Sequence, residues 1–563
     1  MKFFGSLFIA LFLFALPSSA QSWIWGREGN MGPGYSPIAA ADNSGNVIMM
    51  IRGGSTLAFG NDTIVCPPNC NAVIVKYDSN GNELWATQGI VGASGGQILA
   101  YSVATDKFGN IFLTGTFSDT ASFDSHIIYS PHSTTFLAKY DGNGNAIWAR
   151  AAIGSSGGNS PVDVSTDSSG NIFVAGGYVD QIIYGTDTLH GSPNHEYGFI
   201  VKFDSNGNEV WLAGASTSYL LGINSIATDL SGSIYISGVY EGAATFGSIT
   251  ISNYYAINAY VAKYDSNGIA LWVRVGIPAN DGRSSAQALT VATDSSGNVY
   301  TAGMYTDTLS FGSYSFFSDS SDIFFVKYST TGNLQWAQTS THAAHVGWWK
   351  PGSPRGLSLN NESNIYLSGV GEEANHCSIA FGSDTLKIIN NPTTANFIME
   401  FDFAGNALCG SIFRVYANCG EDAVAADPTG KFVYLAANLY DTTTFGPDLL
   451  GPFPYGQLPI VARWQACDSK INAVDEVENN NSELSLYPNP SSGIIHLEAN
   501  NIDAAKATFT VMDVTGRIII EQEMKCNNKN ISISFDLSNV SAGMYVVELR
   551  AGEKFLTTKL VKQ

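Results

Sequence analysis

Aspartates recur along this chain in a setting that could do chemistry. Asp42, Asp106, Asp167, Asp229 and Asp294 each open a five-residue turn of the form Asp-x-x-Gly-Asn or Asp-x-x-Gly-Ser, and Asn360 and Asp427 open two looser copies. Oxygen-rich turns suggest Ca²⁺, which takes about six to eight oxygen ligands, but the twelve-residue loop with a terminal Glu is absent. Asp and Asn also cap their own turns, and that reading explains the pattern without a metal. A second candidate is His342-Ala-Ala-His345. Its spacing suits Zn²⁺, yet it lacks the Glu of HExxH and a helix to present it, so ordinary loop histidines are the simpler reading. The same connection carries Val346-Gly-Trp-Trp-Lys-Pro-Gly352, where Trp348 and Trp349 offer rings for sugar stacking or for anchoring a protein. The rival is a loop tucked into the fold. His342, His345, Trp348 and Trp349 are the candidate ligand-binding residues.

No HExxH, P-loop or dinucleotide fingerprint occurs. Carboxylates are numerous enough for a glycosidase-like pair, and nothing in the sequence picks one out. The sequence therefore favours a non-catalytic role, names no catalytic residue, and implies neither cofactor nor metal. The seven cysteines are an odd count. Cys66-Pro-Pro-Asn-Cys70 closes a short loop, and Cys409 and Cys419 are placed to bridge one inter-repeat connection. A CxxxC metal site is the alternative for the first pair, with no His or second Cys pair nearby.

The elements that must position these residues come from a repeat. From Asp42 to Asp427 the turns recur with a mean spacing of about 64 residues. Each copy reads as four strands. In the second, Ser102–Thr105 leads into a turn, Ile111–Phe117 leaves it, and Phe136–Tyr140 and Ala146–Arg150 flank the turn Asp141-Gly-Asn-Gly-Asn145. Asn-Gly between apolar runs is a strong hairpin signal. Gly115, Gly176, Gly238, Gly303 and Gly369 stand five positions after the turn and predict close backbone approach; the first and seventh copies have Ile51 and Ala436 there. Trp85, Trp148, Trp211, Trp272 and Trp336 each sit on a last strand, with Cys409 in the sixth copy. They are expected in the core between repeats rather than as a ligand ladder.

The ends of the array match. The seventh copy stops at Val461-Ala-Arg-Trp464 without a last strand, while Trp23-Ile-Trp-Gly-Arg-Glu-Gly29 is an orphan copy of one. The expected fold is all-β, a seven-bladed β-propeller closed by its N-terminal strand, since closure hides sheet edges. Its inter-repeat loops should share the face opposite the Asp turns, and variable loops on a rigid scaffold are where binding residues gather.

Composition agrees: 45% hydrophobic residues, 13% charged and 58 glycines suit short strands and tight turns. A net charge of −21 with no basic stripe argues against a nucleic-acid partner. Residues 1–20, with Lys2, the apolar run Phe3–Leu16 and Ser18-Ser-Ala20, read as a secretory signal too short to be a membrane span. Residues 21–467 form the propeller, 468–483 a polar linker, and 484–563 a small Ig-like β-sandwich.

In that last segment the Pro488-Asn489-Pro490 to Gly493 opening, Asp513-Val-Thr-Gly516, Gly543-Met-Tyr545 and the basic terminus at Lys559 and Lys562 stand together. The module resembles the C-terminal sorting domain of type IX secretion cargo in Bacteroidetes. That resemblance implies Sec export, recognition by the type IX machinery, and release or attachment at the outer face of the outer membrane. Residues 23–467 resemble the SBBP family of β-propeller repeats, which implies a fold and no activity. Asp62-Thr-Ile64, Asp119-Thr-Ala121, Asp187-Thr-Leu189, Asp307-Thr-Leu309 and Asp384-Thr-Leu386 resemble O-glycan acceptor sites of the same bacteria. The leading expectation is a secreted, surface-displayed monomer that binds a glycan or protein through its loop-rich face. The alternatives are a polysaccharide hydrolase or lyase with an acidic site at the channel, and a structural surface-layer component.

Overall fold

A computed structural model describes residues 23–562, apart from segments between strands. The segments outside the description include 29–33, 66–69, 92–95, 155–157, 280–283, 341–352, 361–363, 373–377, 388–393, 416–422, 428–431, 440–442, 451–457, 466–483, 488–492, 500–505, 514–516 and 526–530. The expected secretory signal also lies outside it. The described residues are all-β, with no helix among them. By compactness the chain divides into two units, Met1–Cys467 and Asp468–Gln563.

The second repeat shows how sequence becomes structure. Strands Ile98–Thr105, Ile111–Phe123, His126–Tyr140 and Ala146–Ala151 pair antiparallel in that order. The turn between the first two is built by its own side chains. Asp106 Oδ1 accepts the backbone N–H groups of Phe108 and Asn110, each at 2.9 Å, and Oδ2 accepts Asn110 Nδ2 at 2.7 Å. Asp141 repeats this with Asn143 and Asn145 between the last two strands. Both carboxylate oxygens are thus committed to the turn, which makes the Asp pattern a capping device.

Every repeat has the same first strand: Gly34–Ala41, Ile98–Thr105, Asn159–Thr166, Leu220–Thr228, Ser285–Thr293, Ser353–Leu359 and Ala423–Ala426. Each of these touches the next, and the last touches the first. In the seventh repeat Ala423–Ala426, Val433–Leu439 and Leu458–Trp464 pair in order, and the fourth strand is Trp23–Glu28. Trp23 lies opposite Trp464, and Glu28 opposite Ile460.

One contact explains most of the repeat signature. The lysine of the third strand and the tryptophan of the fourth donate to a single carbonyl in the next repeat's third-to-fourth turn. Lys76 and Trp85 meet at Gly142 O (3.3 and 3.1 Å), and Lys202 and Trp211 at Ser266 O (both 3.1 Å). Lys263 and Trp272 meet at Thr330 O, and Lys327 and Trp336 at Phe403 O. Lys139 bonds Ser205 O in the same way, whereas the Trp148 indole N–H has no hydrogen-bond partner. Two residues further along that turn is a glycine whose positive φ no L residue adopts cheaply. The tryptophan packs on its bare Cα: a Cβ on Gly144 (φ 85°) would lie 2.8 Å from Trp85, and one on Gly332 (φ 79°) 2.9 Å from Trp272. The expected close approach at Gly115, Gly176, Gly238 and Gly303 is to the first strand of the same repeat. A Cβ there would stand 1.9–2.2 Å from the carbonyls of Leu99, Ser160, Gly222 and Gln287.

Adjacent repeats are also stitched by backbone. The end of one fourth strand pairs with the outer hairpin of the next repeat: Ile90–Val91 with Ala121–Ser122, Ile153–Gly154 with Ile182–Ile183, Ala215–Thr217 with Ala244–Phe246, and Ile277–Pro278 with Leu309–Ser310.

The C-terminal unit has two antiparallel sheets. One orders Leu484–Tyr487, Ile494–Ala499 and Ile531–Asp536; the other orders Ile518–Lys525, Lys506–Asp513, Gly543–Ala551 and Lys554–Lys562. Side chains of both sheets, among them Ile495, Leu497, Phe509, Val511, Phe535 and Val547, share one buried core.

Candidate functional site

The first strands of all seven repeats border one cavity of about 550 Å³. A β-bulge interrupts five of these strands at corresponding places, leaving Tyr101, Val162, Asn224, Leu289 and Arg355 out of register. Bulges re-aim side chains, and Tyr101, Val162, Asn224 and Leu289 line the cavity.

The cavity holds one described carboxylate, and it is a tie rather than a free base. Asp163 Oδ1 accepts Ser102 Oγ at 2.6 Å and its neighbour Val164 N at 2.9 Å. Oδ2 accepts Ser225 Oγ and Ile226 N, both at 3.0 Å. Three consecutive repeats therefore meet on one side chain. Burial raises the Asp163 carboxyl above its ordinary range, and the four hydrogen bonds oppose that shift. Below it a ladder of hydroxyls runs the same way. Thr105 Oγ1 donates to Ala41 O, Thr166 Oγ1 to Thr105 O, Thr228 Oγ1 to Thr166 O and Thr293 Oγ1 to Thr228 O.

Arg52 enters the cavity from the second strand of the first repeat. Its Nε donates to Ala100 O at 2.5 Å, and its guanidinium carbon stands 4.6 Å from the centroid of the Tyr101 ring. Arg52 is near the end of Val47–Gly53, the strand that leaves the Asp42 turn, and Tyr101 is near the start of Ile98–Thr105, the strand that runs toward the Asp106 turn. Both therefore lie toward the face opposite the Asp turns. Across the cavity Asn224 Nδ2 donates to Ala288 O at 2.8 Å.

Of the residues expected to bind ligand, His342, His345, Trp348 and Trp349 lie outside the described residues. So do Cys66 and Cys419; Cys409 is disulfide-bonded, and its expected pairing with Cys419 is outside the description. No group of His, Cys, Asp and Glu suited to a metal occurs among the described residues. The Asp-Thr tripeptides fall into two different places. Asp62, Asp187 and Asp384 open the second strand of an outer hairpin, whereas Asp119 and Asp307 sit at a register shift in its first strand with φ of 63° and 57°. Thr63 and Thr188 are exposed; Thr120 and Thr308 are half-buried and donate to Asp119 and Asp307.

Sequence reasoning did not single out Arg52, Tyr101, Asp163 or Asn224. Their signal is an inverse one. Around the bulge the first strands differ from copy to copy, while the turns and the Lys and Trp positions repeat.

In the C-terminal unit Pro488, Asn489, Pro490 and Gly516 lie outside the described residues. Gly493 O accepts Leu537 N at 3.1 Å, buried Tyr545 donates its hydroxyl to Ser541 O at 2.7 Å, and Lys562 pairs with Gly543 at the sheet's end. Residues 485–563 match the secretion system C-terminal sorting domain, and residues 84–116 match the β-propeller repeat called SBBP. The chain thus carries an SBBP β-propeller repeat and a type IX sorting domain. It is thereby a secreted cargo of the type IX system, attached at the cell surface.

This repeat protein is 28% identical over 209 residues to an uncharacterized WD repeat-containing protein of Acanthamoeba polyphaga mimivirus, covering 30% of this chain. It spans only 15% of that relative's length. Among solved structures, the quinohemoprotein alcohol dehydrogenase of Comamonas testosteroni aligns over 78% of this chain and 76% of its own, with a TM-score of 0.35 and 10% identity.

Proposed function

We propose that residues 21–467 form a seven-bladed β-propeller closed by Trp23–Glu28, that 484–563 form an Ig-like sandwich, and that the propeller binds a glycan or protein on its loop-rich face. The cyclic order of contacts among the first strands supports the closed propeller. The observation that carries the binding reading is the commitment of the acidic groups. The Asp42, Asp106, Asp141, Asp167 and Asp204 carboxylates cap turns, and Asp163 is held by four donors. The turn face is spent on holding repeats together. On this reading the opposite face takes the connections between repeats, which are of unequal length, and the sequence of one includes Trp348 and Trp349.

The test incubates the full secreted chain with a panel of polysaccharides and outer-surface proteins, scoring retention and soluble products together. Retention without products, lost in Trp348→Ala/Trp349→Ala, is the expected result. Release of products would replace it with a hydrolase or lyase. Neither retention nor products would leave a structural component of the surface.

A further inference from the structure

Three junctions between repeats carry an arginine two positions after a fourth-strand tryptophan: Arg27, Arg150 and Arg274. Each donates Nε to a glycine carbonyl in the next repeat's third-to-fourth turn, Gly81, Gly207 and Gly332. At the first two junctions that next repeat supplies carboxylates. Its turn opens with Asp78 or Asp204, and its fourth strand begins with Glu83 or Glu209. Burial raises the Asp78 and Asp204 carboxyls, but bonds from Asn82 and Asn80, or from Asn208 and Asn206, outweigh it. The charges of Arg27 and Arg150 add to those bonds and hold both groups below their ordinary range. At the third junction both acids are replaced. Ser329 opens the turn and caps it through Oγ, which accepts Asn333 N at 3.1 Å, and Leu334 begins the fourth strand. The turn survives there without its charge.

Arg274 borders a cleft of about 440 Å³, within the range of small-molecule sites, roughly 300–1,000 Å³. No carboxylate lines it among the described residues. The half-buried guanidinium is held in place by an Nε bond to Gly332 O at 2.6 Å and an Nη1 bond to Val273 O at 2.8 Å. Its carbon stands 5.4 Å from the centroid of the Trp272 ring. A guanidinium has five N–H donors, so three meet no acceptor among the described residues. At Arg150, by contrast, Nη2 is taken by Asn206 O. Tyr328 also lines the cleft. Burial pushes its hydroxyl up, the Arg274 charge beside it opposes that shift, and the phenol stays a neutral donor.

We infer that this cleft binds a small monocarboxylate with an apolar body, its carboxylate on the unclaimed N–H groups of Arg274 and its body against Phe311, Val275 and Leu334. Charge-assisted bonds from a pre-oriented guanidinium are the strong kind, and its plane matches a carboxylate. One guanidinium balances one negative charge. No second cation lines the cleft among the described residues, so a dianion such as phosphate would keep part of its charge unpaired. The apolar wall offers few partners for hydroxyls, which sets this ligand apart from a sugar. The cleft is bounded by a third-to-fourth turn, away from the loop-rich face, and the inference does not rest on glycan binding.

Calorimetry of the full secreted chain would compare benzoate with its neutral isostere benzamide, with acetate and with inorganic phosphate. Expected is saturable binding of benzoate at least tenfold tighter than of the other three, weakening as salt rises. Two variants test the residues, and both copy side chains that sister repeats already carry. Arg274→Gln installs the residue found at Gln338, whose Nε2 donates to Gly405 O at 2.9 Å, so the junction should hold while benzoate binding falls at least tenfold. Leu334→Glu restores the acid of Glu83 and Glu209 and should lose binding to the same extent. Circular dichroism and the melting curve show that each variant is folded. Trp348→Ala/Trp349→Ala should leave benzoate binding unchanged. Equal affinity for benzoate and benzamide, tighter binding of phosphate, or no benzoate binding at all would overturn the inference. So would undiminished binding in folded Arg274→Gln or Leu334→Glu.

Discussion

Trp25 and Arg463, 438 positions apart, donate to the same carbonyl oxygen, Ser79 O, at 3.0 and 2.9 Å. Elsewhere the pair of donors on such a carbonyl is a lysine and a tryptophan of one continuous repeat. Here the tryptophan comes from the N-terminal strand and an arginine replaces the lysine. Arg27 completes the copy by donating Nε to Gly81 O at 2.8 Å, as Arg150 does to Gly207 O and Arg274 to Gly332 O. The N-terminal strand therefore performs the work of a fourth strand toward the first repeat.

Removing Trp25 should loosen that junction. Trp25 is buried and packs against Tyr434, with ring centroids 5.8 Å apart. Trp25→Ala is expected to cost about 3–5 kcal/mol, and deletion of 23–29 more. Denaturant unfolding of the full chain checks this, and an unchanged midpoint would argue against closure by the N-terminal strand.

The turn glycines allow backbone strain to be separated from steric contact. Gly144 has φ 85° and lies against Trp85, whereas Gly109 has φ 80° with nothing within 4 Å of a Cβ. Gly109→Ala should cost about 1 kcal/mol for the left-handed backbone alone. Gly144→Ala should cost about 1–3 kcal/mol more, because the indole must shift. Equal melting temperatures for the two variants would refute the role assigned to the tryptophan contact.

How legible the fold was follows from which contacts repeat. The Asp turns, the Lys and Trp positions and the two matching termini are read from sequence because each of the first six repeats presents the corresponding turn carbonyl to the repeat before it. The first-strand cavity follows no such constraint. Tyr101, Val162, Asn224 and Leu289 share a place and no chemistry, and their convergence appears only when the first strands meet. Asp163 was hidden among many aspartates, and only its donors from three repeats set it apart. The Asp-Thr tripeptides are alike in sequence yet occupy two backbone settings, since Asp62, Asp187 and Asp384 follow the outer-hairpin turn whereas Asp119 and Asp307 precede it.

One carboxyl titrates near neutrality. Glu209 begins the fourth strand of the third repeat beneath the Gly185 turn, and its Oε1 is buried without a partner. Burial, then the charge of Asp187, pushes its pKa up to about 7, against the N–H of Thr186. A carboxyl with a raised folded pKa binds more protons folded than unfolded, so its contribution to stability falls as pH rises from about 4.5 to 7. Glu209→Gln should thus be more stable than the parent above pH 7, by about 1 kcal/mol after allowing for solvent screening. The gap should close toward pH 4.5. Melting curves across pH 4 to 8 test the sign, and a gap that widens on acidification would refute it.

The sorting domain makes a prediction about place. Tyr545 is buried in that unit's own core, and the unit carries a core of its own. Deleting 484–563 should leave folded repeats inside the outer membrane, and fractionation should find them in the periplasm. Secretion at the level of the full chain would contradict the assignment.

The sixth repeat departs from the others where the seventh requires it to. Its lysine position is Glu400 and its tryptophan position is Cys409. In the other repeats those side chains reach the third-to-fourth turn of the next repeat, but the seventh has no such turn, because its fourth strand arrives from the N-terminus. In its place Trp464 fills the space, fully buried with Tyr366, Ile398, Val424 and Val433, and Cys409 packs against that cluster. Glu400, also fully buried, accepts Asn364 Nδ2 at 2.5 Å. Restoring the common residue should therefore harm rather than help. Glu400→Lys would place an ammonium where no turn carbonyl meets it, at an expected cost of about 3–5 kcal/mol. Lys76→Met, which removes a bond to Gly142 O and an ion pair with Asp42 at 2.9 Å, should cost about 1–3 kcal/mol. Chemical denaturation of both variants decides the matter: if Glu400→Lys is neutral or stabilising, the lysine position in the sixth repeat is not governed by the missing turn.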